Sequence, residues 1–429
     1  MWGTLPLVKP RMFQRRRRTL HVFPRPRIRR RQADFEPKDN WKEGHLYSTD
    51  KQHGRPAAFV TIGRRVQQMT WSWFTLTMST GGLSLLLNRT PYQFRGLDII
   101  GRIIFVYNLV CFSCIVFCLV YRFSKNPRAL PESLQHPTES LFFPTFLLSI
   151  ATIMLESASY GAPNTGPWLP AALFFVFWIY AAISIVTAMV QYAILFNGSN
   201  LTVHSMTPTW ILPIFPAMLV GTLASSIAPL QAPARAMEMC VAGITAQGLG
   251  WTVSALVYPL YLARLMERGL PAPGMRPTMF IAVGPPGFTA LATIGIARAL
   301  PAEASYFIEH PSARETLETV ATWLGIWIWT IGFWFFGLGL FAVVFSMYNR
   351  ELEFSMAWWA FVFPNVGFTI STAVLGEQLG SDGIKWVASG MTICVAIVWL
   401  VVMTGLIWAL MQRRILWPHT KRVEEPTDI

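Results

Sequence analysis

Long apolar stretches alternate with short polar connections along most of this 429-residue chain. An α-helix needs about 20 residues to cross a bilayer, and the apolar stretches have about that length or more. The pattern predicts ten spans, near residues 70–88, 97–121, 140–158, 167–195, 208–229, 240–263, 277–299, 319–347, 355–376 and 384–411. A membrane β-barrel would show short segments of alternating polarity instead. The sequence therefore predicts an all-α polytopic membrane protein.

The odd-numbered spans differ from the even-numbered ones. Each odd span carries Gly or Pro in its body, followed by Ser or Thr, as in "VGPPGFTALAT" and "FVFPNVGFTIST". The even spans are longer, largely aliphatic and aromatic, and poor in proline. The predicted helix breaks recur at intervals of about 70 to 80 residues, which indicates a fivefold repeat of a two-helix hairpin; they are Gly81, Gly82, Pro144, Pro213, Pro285, Pro286 and Pro364.

Breaks at matching positions have a physical consequence. Proline removes a backbone donor and frees a carbonyl one turn earlier. In lipid such unsatisfied groups are tolerated only where they are buried in protein or line a wet cavity. We therefore expect five odd helices to line a central pore and five even helices to form an outer wall. The alternative is that Gly and Pro serve only as kinks and packing sites, which are common in membrane helices.

Composition supports the membrane assignment, since 53% of residues are hydrophobic and only 13% are charged. The net charge of +13 comes mostly from residues 1–33, which contain Lys9, ten Arg and no acid. We expect a basic, disordered cytosolic segment over 1–68, a membrane domain over 69–412 and a cytosolic tail over 413–429. Basic flanks and loops place both termini in the cytosol. The head has two functional alternatives, contact with anionic lipid or a transit peptide.

The polar groups in the odd spans are mostly hydroxyls. Rows of carboxylates, which would suggest a cation path, are absent, whereas hydroxyls and freed N–H groups can bind an anion weakly. The predicted substrate path consists of Ser79, Thr80, Thr152, Thr222, Thr289, Thr293, Thr369 and Thr372. Arg298 could bind a carboxylate through two parallel hydrogen bonds. Its alternative roles are to cap the span end or to pair with Glu303.

Other chemistry finds little support in the sequence. None of the seven His lies in a predicted span, so Glu156 and Glu377 are the side chains available for proton coupling; a weak diacid could instead carry its own proton. Cys111, Cys114 and Cys118 lie in one apolar stretch and favour packing over metal binding. No nucleotide-binding, zinc or hydrolase motif is present. We expect no enzymatic activity, no catalytic residue, no metal, no cofactor and no nucleic-acid partner.

Several stretches together resemble one known family. They are "TWSWFTLTMSTGGLSLLL", "PYQFRGLDIIG", "HPTESLFFPTFLLSIAT", "MFIAVGPPGFTALA" and "WWAFVFPNVGFTIS". The combination resembles the tellurite-resistance/dicarboxylate transporter family, and most of all the fungal malic acid (C4-dicarboxylate) transporters, over residues 65–412. That family also includes fungal sulfite efflux proteins and plant slow anion channels.

The resemblance implies ten helices in five hairpins, a pore lined by the odd helices, and trimers with one pore per subunit. It also implies a pore-plugging phenylalanine on the ninth helix; the matching position is Phe363, with Phe361 as a nearby competitor. We expect a plasma-membrane transporter for malate and related C4-dicarboxylates, with proton coupling left open. The alternatives are sulfite efflux, a gated anion channel, and a membrane scaffold in which the basic head is the active part.

Overall fold

The computed structural model describes residues 62–198 and 202–417. The basic head over 1–33, nearly all of the predicted segment 1–68 and the end of the C-terminal tail lie outside these ranges. Within them the chain is helical and contains no strand. The ten helices of at least 13 residues in the described chain are labelled α1 (Phe74–Asn88), α2 (Leu97–Lys125), α3 (Pro144–Glu156), α4 (Trp168–Gly198), α5 (Phe215–Ile227), α6 (Pro233–Arg268), α7 (Gly284–Ala299), α8 (Ala313–Tyr348), α9 (Phe363–Gln378) and α10 (Asp382–Met411). Short helices Ile62–Val66, Ala129–Gln135 and Ser305–Glu309 precede or connect them.

Eight helical stretches of the described chain are long and apolar enough to cross a membrane. They confirm an all-helical, multi-pass membrane protein. The two other predicted spans correspond to the shorter helices α1 and α5, of 15 and 13 residues. Some even helices extend beyond their predicted bounds; α6, for example, covers Pro233–Arg268 where 240–263 was predicted.

The odd-numbered helices share one local feature at their starts. A 3₁₀ segment precedes each of α1, α3, α5, α7 and α9, and these segments are Trp71–Trp73, Ser140–Phe142, Pro208–Ile211, Pro273–Val283 and Met356–Phe361. Pro144, Pro285 and Pro364 stand in the first turn of an α-helix, and Pro213 lies in the turn before α5. The first turn leaves backbone N–H groups unpaired in any helix, so proline costs little there. The predicted breaks at these prolines are therefore changes from a 3₁₀ to an α-helical backbone.

Gly81 and Gly82 do not break a helix, contrary to the prediction. Both lie inside the uninterrupted helix α1. A Cβ atom on Gly81 would lie 2.6 Å from both Asn108 Nδ2 and Thr152 Oγ1. A Cβ atom on Gly82 would lie 3.2 Å from Phe363 Cδ2. The glycine pair therefore allows close packing of side chains from α2, α3 and α9 against α1.

The odd helices form the interior of the described structure. Of the 18 most apolar consecutive residues in Met356–Gln378, 94% are buried; the corresponding fraction in Leu97–Lys125 is 17%. Helix α1 contacts α3, α3 contacts α5, α5 contacts α7, α7 contacts α9, and α9 contacts α1. The even helices α2, α6, α8 and α10 each pack on the odd helix that precedes them in the chain, whereas α4 packs mainly on α5. We call the odd helices the inner helices and the even helices the outer helices.

Substitution of Gly287 in α7 tests the close contact of α7 with α9. A Cβ atom there would lie 2.7 Å from the backbone nitrogen of Phe368 in α9. Backbone cannot yield as a flexible side chain can, so Gly287→Ala is expected to destabilise the protein by about 1–3 kcal/mol. Thermal unfolding of the purified protein in detergent measures the effect.

The matched control is Gly337→Ala in α8, where a Cβ atom would meet no atom of residues 62–198 and 202–417 within 4 Å. Alanine has the higher helix propensity, so this variant should keep or slightly raise the unfolding temperature. Equal losses in both variants would contradict the close contact of α7 with α9.

Candidate functional site

Three phenylalanines meet between the inner helices. Phe215 comes from α5, Phe288 from α7 and Phe363 from α9. The ring centroid of Phe363 lies 5.1 Å from that of Phe288 and 5.9 Å from that of Phe215, and the latter two are 5.6 Å apart. Phe363 also packs on Gly82 of α1 and is 2% exposed. We call these three side chains the aromatic triad; with Gly82 it joins four of the five inner helices.

Phe361, the predicted competitor of Phe363, has different surroundings. Its ring pairs with Phe280 at 5.3 Å and with Trp358 at 5.9 Å. It makes no aromatic pair with the triad, and its side chain is partly buried. The structure therefore places Phe363, and not Phe361, at the meeting point of the inner helices.

Two cavities lie among the inner helices. The N-terminal cavity, at the starts of these helices, has a volume of about 20 Å³ and is lined by residues that include Phe215, Phe363 and Pro364. The C-terminal cavity, at their ends, has a volume of about 180 Å³ and is lined by residues of α1, α5, α7 and α9. A volume of about 20 Å³ holds roughly one water molecule. The C-terminal cavity has room for a small solute, whereas the space beside the triad is nearly closed.

The C-terminal cavity carries two guanidinium groups. Arg89 follows α1 and Arg298 lies in the last turn of α7. Arg298 Nη1 lies 3.1 Å from Glu377 Oε2, and both side chains are about 40% exposed. The observed partner of Arg298 is thus Glu377 of α9 and not Glu303. A solvated ion pair of this kind contributes only about 0–1 kcal/mol, so an anionic ligand can compete for the guanidinium. Arg89 makes no ion pair within the described residues, whose ion pairs all involve other side chains.

Hydroxyls complete the lining of this cavity. Thr222 has a buried Oγ1 without a hydrogen-bond partner in the described structure. Ser225 and Ser226 lie one turn further along α5 and also line the cavity. Neutral donors beside two guanidinium groups suit a small anion, since guanidinium binds carboxylate with directed hydrogen bonds and hydroxyls add weaker ones.

Three of the predicted path hydroxyls bind outer helices instead. Thr80 accepts a hydrogen bond from Trp399 Nε1 of α10, and Thr372 accepts one from Trp329 Nε1 of α8. Thr289 accepts one from Gln247 Nε2 of α6. These hydroxyls form hydrogen bonds between inner and outer helices. The sequence of a single span does not show such contacts.

Four other predicted hydroxyls bond to backbone carbonyls. Ser79 donates to Trp359 O, and Thr152 donates to Ser149 O. Thr293 and Thr369 donate to carbonyls one turn earlier in their own helices. Of the predicted path residues, Thr222 and Arg298 line the C-terminal cavity.

Arg89, Ser225 and Ser226 are cavity residues that were not among the predicted site residues. Ser225 and Ser226 stand in the fifth predicted span, in "GTLASS", so the repeat of small and hydroxyl residues was the available signal. Arg89 falls just after the first predicted span, where a charge usually marks only a membrane boundary.

Comparisons with known proteins agree on one family. A family profile described as SLAC1, voltage-dependent anion channel, matches residues 68–407. The chain is 34% identical over 363 residues to a malic acid transport protein of Schizosaccharomyces pombe, covering 84% of this chain and 83% of that protein. A putative malic acid transport protein of the same organism is 32% identical, with 84% of each chain covered. A sulfite efflux pump of Trichophyton rubrum is 24% identical, covering 77% of this chain and 88% of the pump.

Proposed function

The chain belongs to the SLAC1 voltage-dependent anion channel family, which corresponds to the tellurite-resistance/dicarboxylate transporter family, and we propose that it carries malate and related C4-dicarboxylates across the plasma membrane. The family and its relatives are transporters, so the chain is a membrane transport protein and not an enzyme. The choice of malate is supported by the two S. pombe relatives, which are 34% and 32% identical, against 24% for the sulfite pump.

The proposed route lies between the five inner helices. Its support is the closed series of contacts among α1, α3, α5, α7 and α9, and the burial of these helices behind the outer ones. In this arrangement ten helices cross the membrane as five hairpins. The inner helices then all run in one direction, and their N-terminal ends share one side of the membrane.

Orientation follows from the distribution of basic residues. Arg64 and Arg65 precede α1, while Arg413 and Arg414 follow α10. By the positive-inside rule, these flanks support a cytosolic position for both termini. The N-terminal cavity then faces the cytosol, and the C-terminal cavity faces the opposite side.

The aromatic triad is proposed as the closure of this route, with Phe363 as the gate. Phe363 lines the N-terminal cavity, and the C-terminal cavity begins further along the same helices. If the Phe363 ring moved away from Gly82, Phe215 and Phe288, the two cavities would join. Such a rotamer change needs no rearrangement of the helices.

Recognition of a dicarboxylate is proposed to occur in the C-terminal cavity. Arg89 and Arg298 both line it, so one ligand could place a carboxylate on each guanidinium. The solvated Glu377 would release Arg298 as the ligand binds, and Thr222 would donate to a remaining oxygen. Site residues deeper in the route, from Ser79 to Thr372, would contribute only after rotation of their hydroxyls. A trimeric assembly and contact with membrane lipid complete the proposal and rest on the family resemblance.

Uptake by purified protein in liposomes tests the proposed substrate. Labelled malate and succinate are expected to enter faster than labelled sulfite, because a small two-carboxylate anion matches two guanidinium groups. Protein-free liposomes give the background, and excess unlabelled malate should compete with labelled malate. Repeating the assay with an imposed pH gradient shows whether protons accompany the substrate.

Two outcomes would favour a different function of the same family. Sulfite flux without malate flux would contradict the dicarboxylate proposal and favour sulfite efflux, the activity named for the 24% identical relatives. Chloride current as large as malate flux would favour a gated anion channel.

A further inference from the structure

Glu156, at the end of α3, is a carboxyl group with no counter-charge in the part of the chain that the structure describes. It is 0% exposed, and its Oε2 accepts a hydrogen bond from Asn108 Nδ2 of α2 at 3.1 Å. None of the ion pairs found in residues 62–198 and 202–417 includes it. An unpaired carboxylate buried within a membrane protein is costly, and the usual resolution is to take up a proton.

Two orphan oxygens identify where that proton would sit. Glu156 Oε1 and Asn108 Oδ1 are both buried, and neither has a hydrogen-bond partner among the described residues. Both are acceptors when Glu156 is ionised, so neither can satisfy the other. A single proton on Oε1 would donate to Oδ1, while Asn108 Nδ2 continues to donate to Oε2. We propose that Glu156 and Asn108 form a proton-binding site, in which a neutral carboxylic acid pairs with the carboxamide through two hydrogen bonds.

The neighbouring donors are already engaged elsewhere. Ser84 Oγ lies within hydrogen-bonding reach of the Glu156 carboxyl, but it donates its single hydrogen to Gly101 O. Thr152 Oγ1 donates to Ser149 O, and Tyr160 Oη donates to Ser84 O. Along the chain, the next titratable residue after Glu156 is Tyr160. From α2 the charged groups on this side are Asp98 and Arg102, which are joined to each other at 2.8 Å and are about half exposed. No free cation among these groups is available to neutralise an ionised Glu156.

The proton-binding site and the aromatic triad contact adjacent residues of α1. Gly81 packs against Asn108 Nδ2 and Thr152 Oγ1, and the next residue, Gly82, packs against Phe363 and Val366. Loss of the proton would leave two acceptor oxygens, Glu156 Oε1 and Asn108 Oδ1, facing each other and force the Asn108 amide or the Thr152 hydroxyl to turn. Because no space exists at Gly81, such a turn moves α1, and with it the surface on which Phe363 rests. Proton release is thereby linked to opening at Phe363.

The proton itself can be tested without any transport. Infrared spectroscopy of the purified protein in lipid detects the carbonyl stretch of protonated carboxyl groups. The wild type is expected to show such a band at neutral pH, and Glu156→Gln should remove it, since glutamine keeps both hydrogen bonds to Asn108 without a carboxyl. Glu139→Gln is the matched control: Glu139 is partly buried but pairs with Arg122 Nη1 at 2.7 Å, so its replacement should leave the band intact.

A second variant covers the case in which Glu156→Gln does not fold. Asn108→Leu keeps the carboxyl and removes its partner, so the band is expected to persist and to move to a higher frequency. An unchanged band in Asn108→Leu, or a band that survives in folded Glu156→Gln, would overturn the proton-binding site.

The link to Phe363 presumes the anion passage proposed above and is tested with chloride, whose charge does not change with pH. Chloride flux in the wild type is expected to rise about fivefold or more between about pH 5 and about pH 9, and Glu156→Gln should stay at the low-pH rate throughout. Glu139→Gln should follow the wild type. A parallel pH response in Glu156→Gln and the wild type would overturn the link. Failure of malate uptake with an intact chloride response would instead count against the substrate and leave the proton-binding site standing.

Discussion

Phe363→Ala is expected to raise anion conductance by about tenfold or more in the reconstituted protein. The Phe363 ring forms two aromatic pairs, with Phe288 and Phe215, and each such pair contributes about 0.5–1.5 kcal/mol. Removing both pairs therefore shifts the balance toward the open route by about 1–3 kcal/mol, or roughly 5- to 150-fold. Alanine also removes the bulk that occupies the space beside Gly82. Planar-bilayer recordings with malate or chloride measure the change.

Phe361→Ala provides the matched control for this variant. It deletes the same side chain two residues earlier, but Phe361 pairs with Phe280 and Trp358 and makes no aromatic pair with the triad. Conductance should stay near the wild-type value, although loss of a partly buried phenyl ring will lower stability. Unchanged or abolished conductance in a folded Phe363→Ala protein would contradict the role of Phe363 as gate, as would an equal increase in Phe361→Ala.

Arg298→Gln is expected to weaken malate transport about tenfold or more while affecting a monocarboxylate such as lactate less. A charge-assisted hydrogen bond contributes about 1.5–3 kcal/mol, which corresponds to roughly 10- to 150-fold in affinity. A monocarboxylate has no second carboxylate and can bind Arg89 alone. The half-saturation concentrations for labelled malate and lactate uptake measure the difference.

Glu377→Gln should have the opposite effect. It removes the carboxylate that competes for Arg298, so malate should bind more tightly, within the roughly fivefold that a solvated ion pair permits. Arg314→Gln, which breaks the ion pair of Arg314 with Glu318 at the exposed start of α8, should change neither substrate. Equal loss of malate and lactate uptake in Arg298→Gln would contradict a carboxylate-binding role.

The sequence reveals the repeat but not the rotation of each helix. Pro144, Pro285 and Pro364 mark matching positions, and all three begin an α-helix after a 3₁₀ segment. The order of the inner helices follows from that repeat. The direction in which each hydroxyl points does not, because α1, α7 and α9 are buried on nearly all sides and show no polar face. Thr80 and Thr372 therefore looked like path residues, although they accept hydrogen bonds from outer tryptophans.

Side-chain pairs between distant segments of the chain could not be predicted from the sequence either. Arg298 meets Glu377 because α7 contacts α9, whereas Glu303 was the candidate nearest in the chain. Glu156 was identified as a titratable group near a span end. Its pairing with Asn108 depends on the packing of α2 against α3, which only the folded chain supplies. The function of Gly81 and Gly82 was misread for the same reason, since a helix break and a packing site have the same composition.

The central claim is that a single passage between the inner helices is closed at Phe363, and cysteine accessibility tests it most directly. Ser226→Cys, with the five native cysteines replaced by alanine, places a thiol in the C-terminal cavity. A membrane-impermeant thiol reagent is applied to one side of oriented membranes at a time. The thiol is expected to react from one side only, and after Phe363→Ala to react from both sides. Reaction from both sides with Phe363 in place, or continued one-sided reaction in Phe363→Ala, would contradict a passage closed by this side chain.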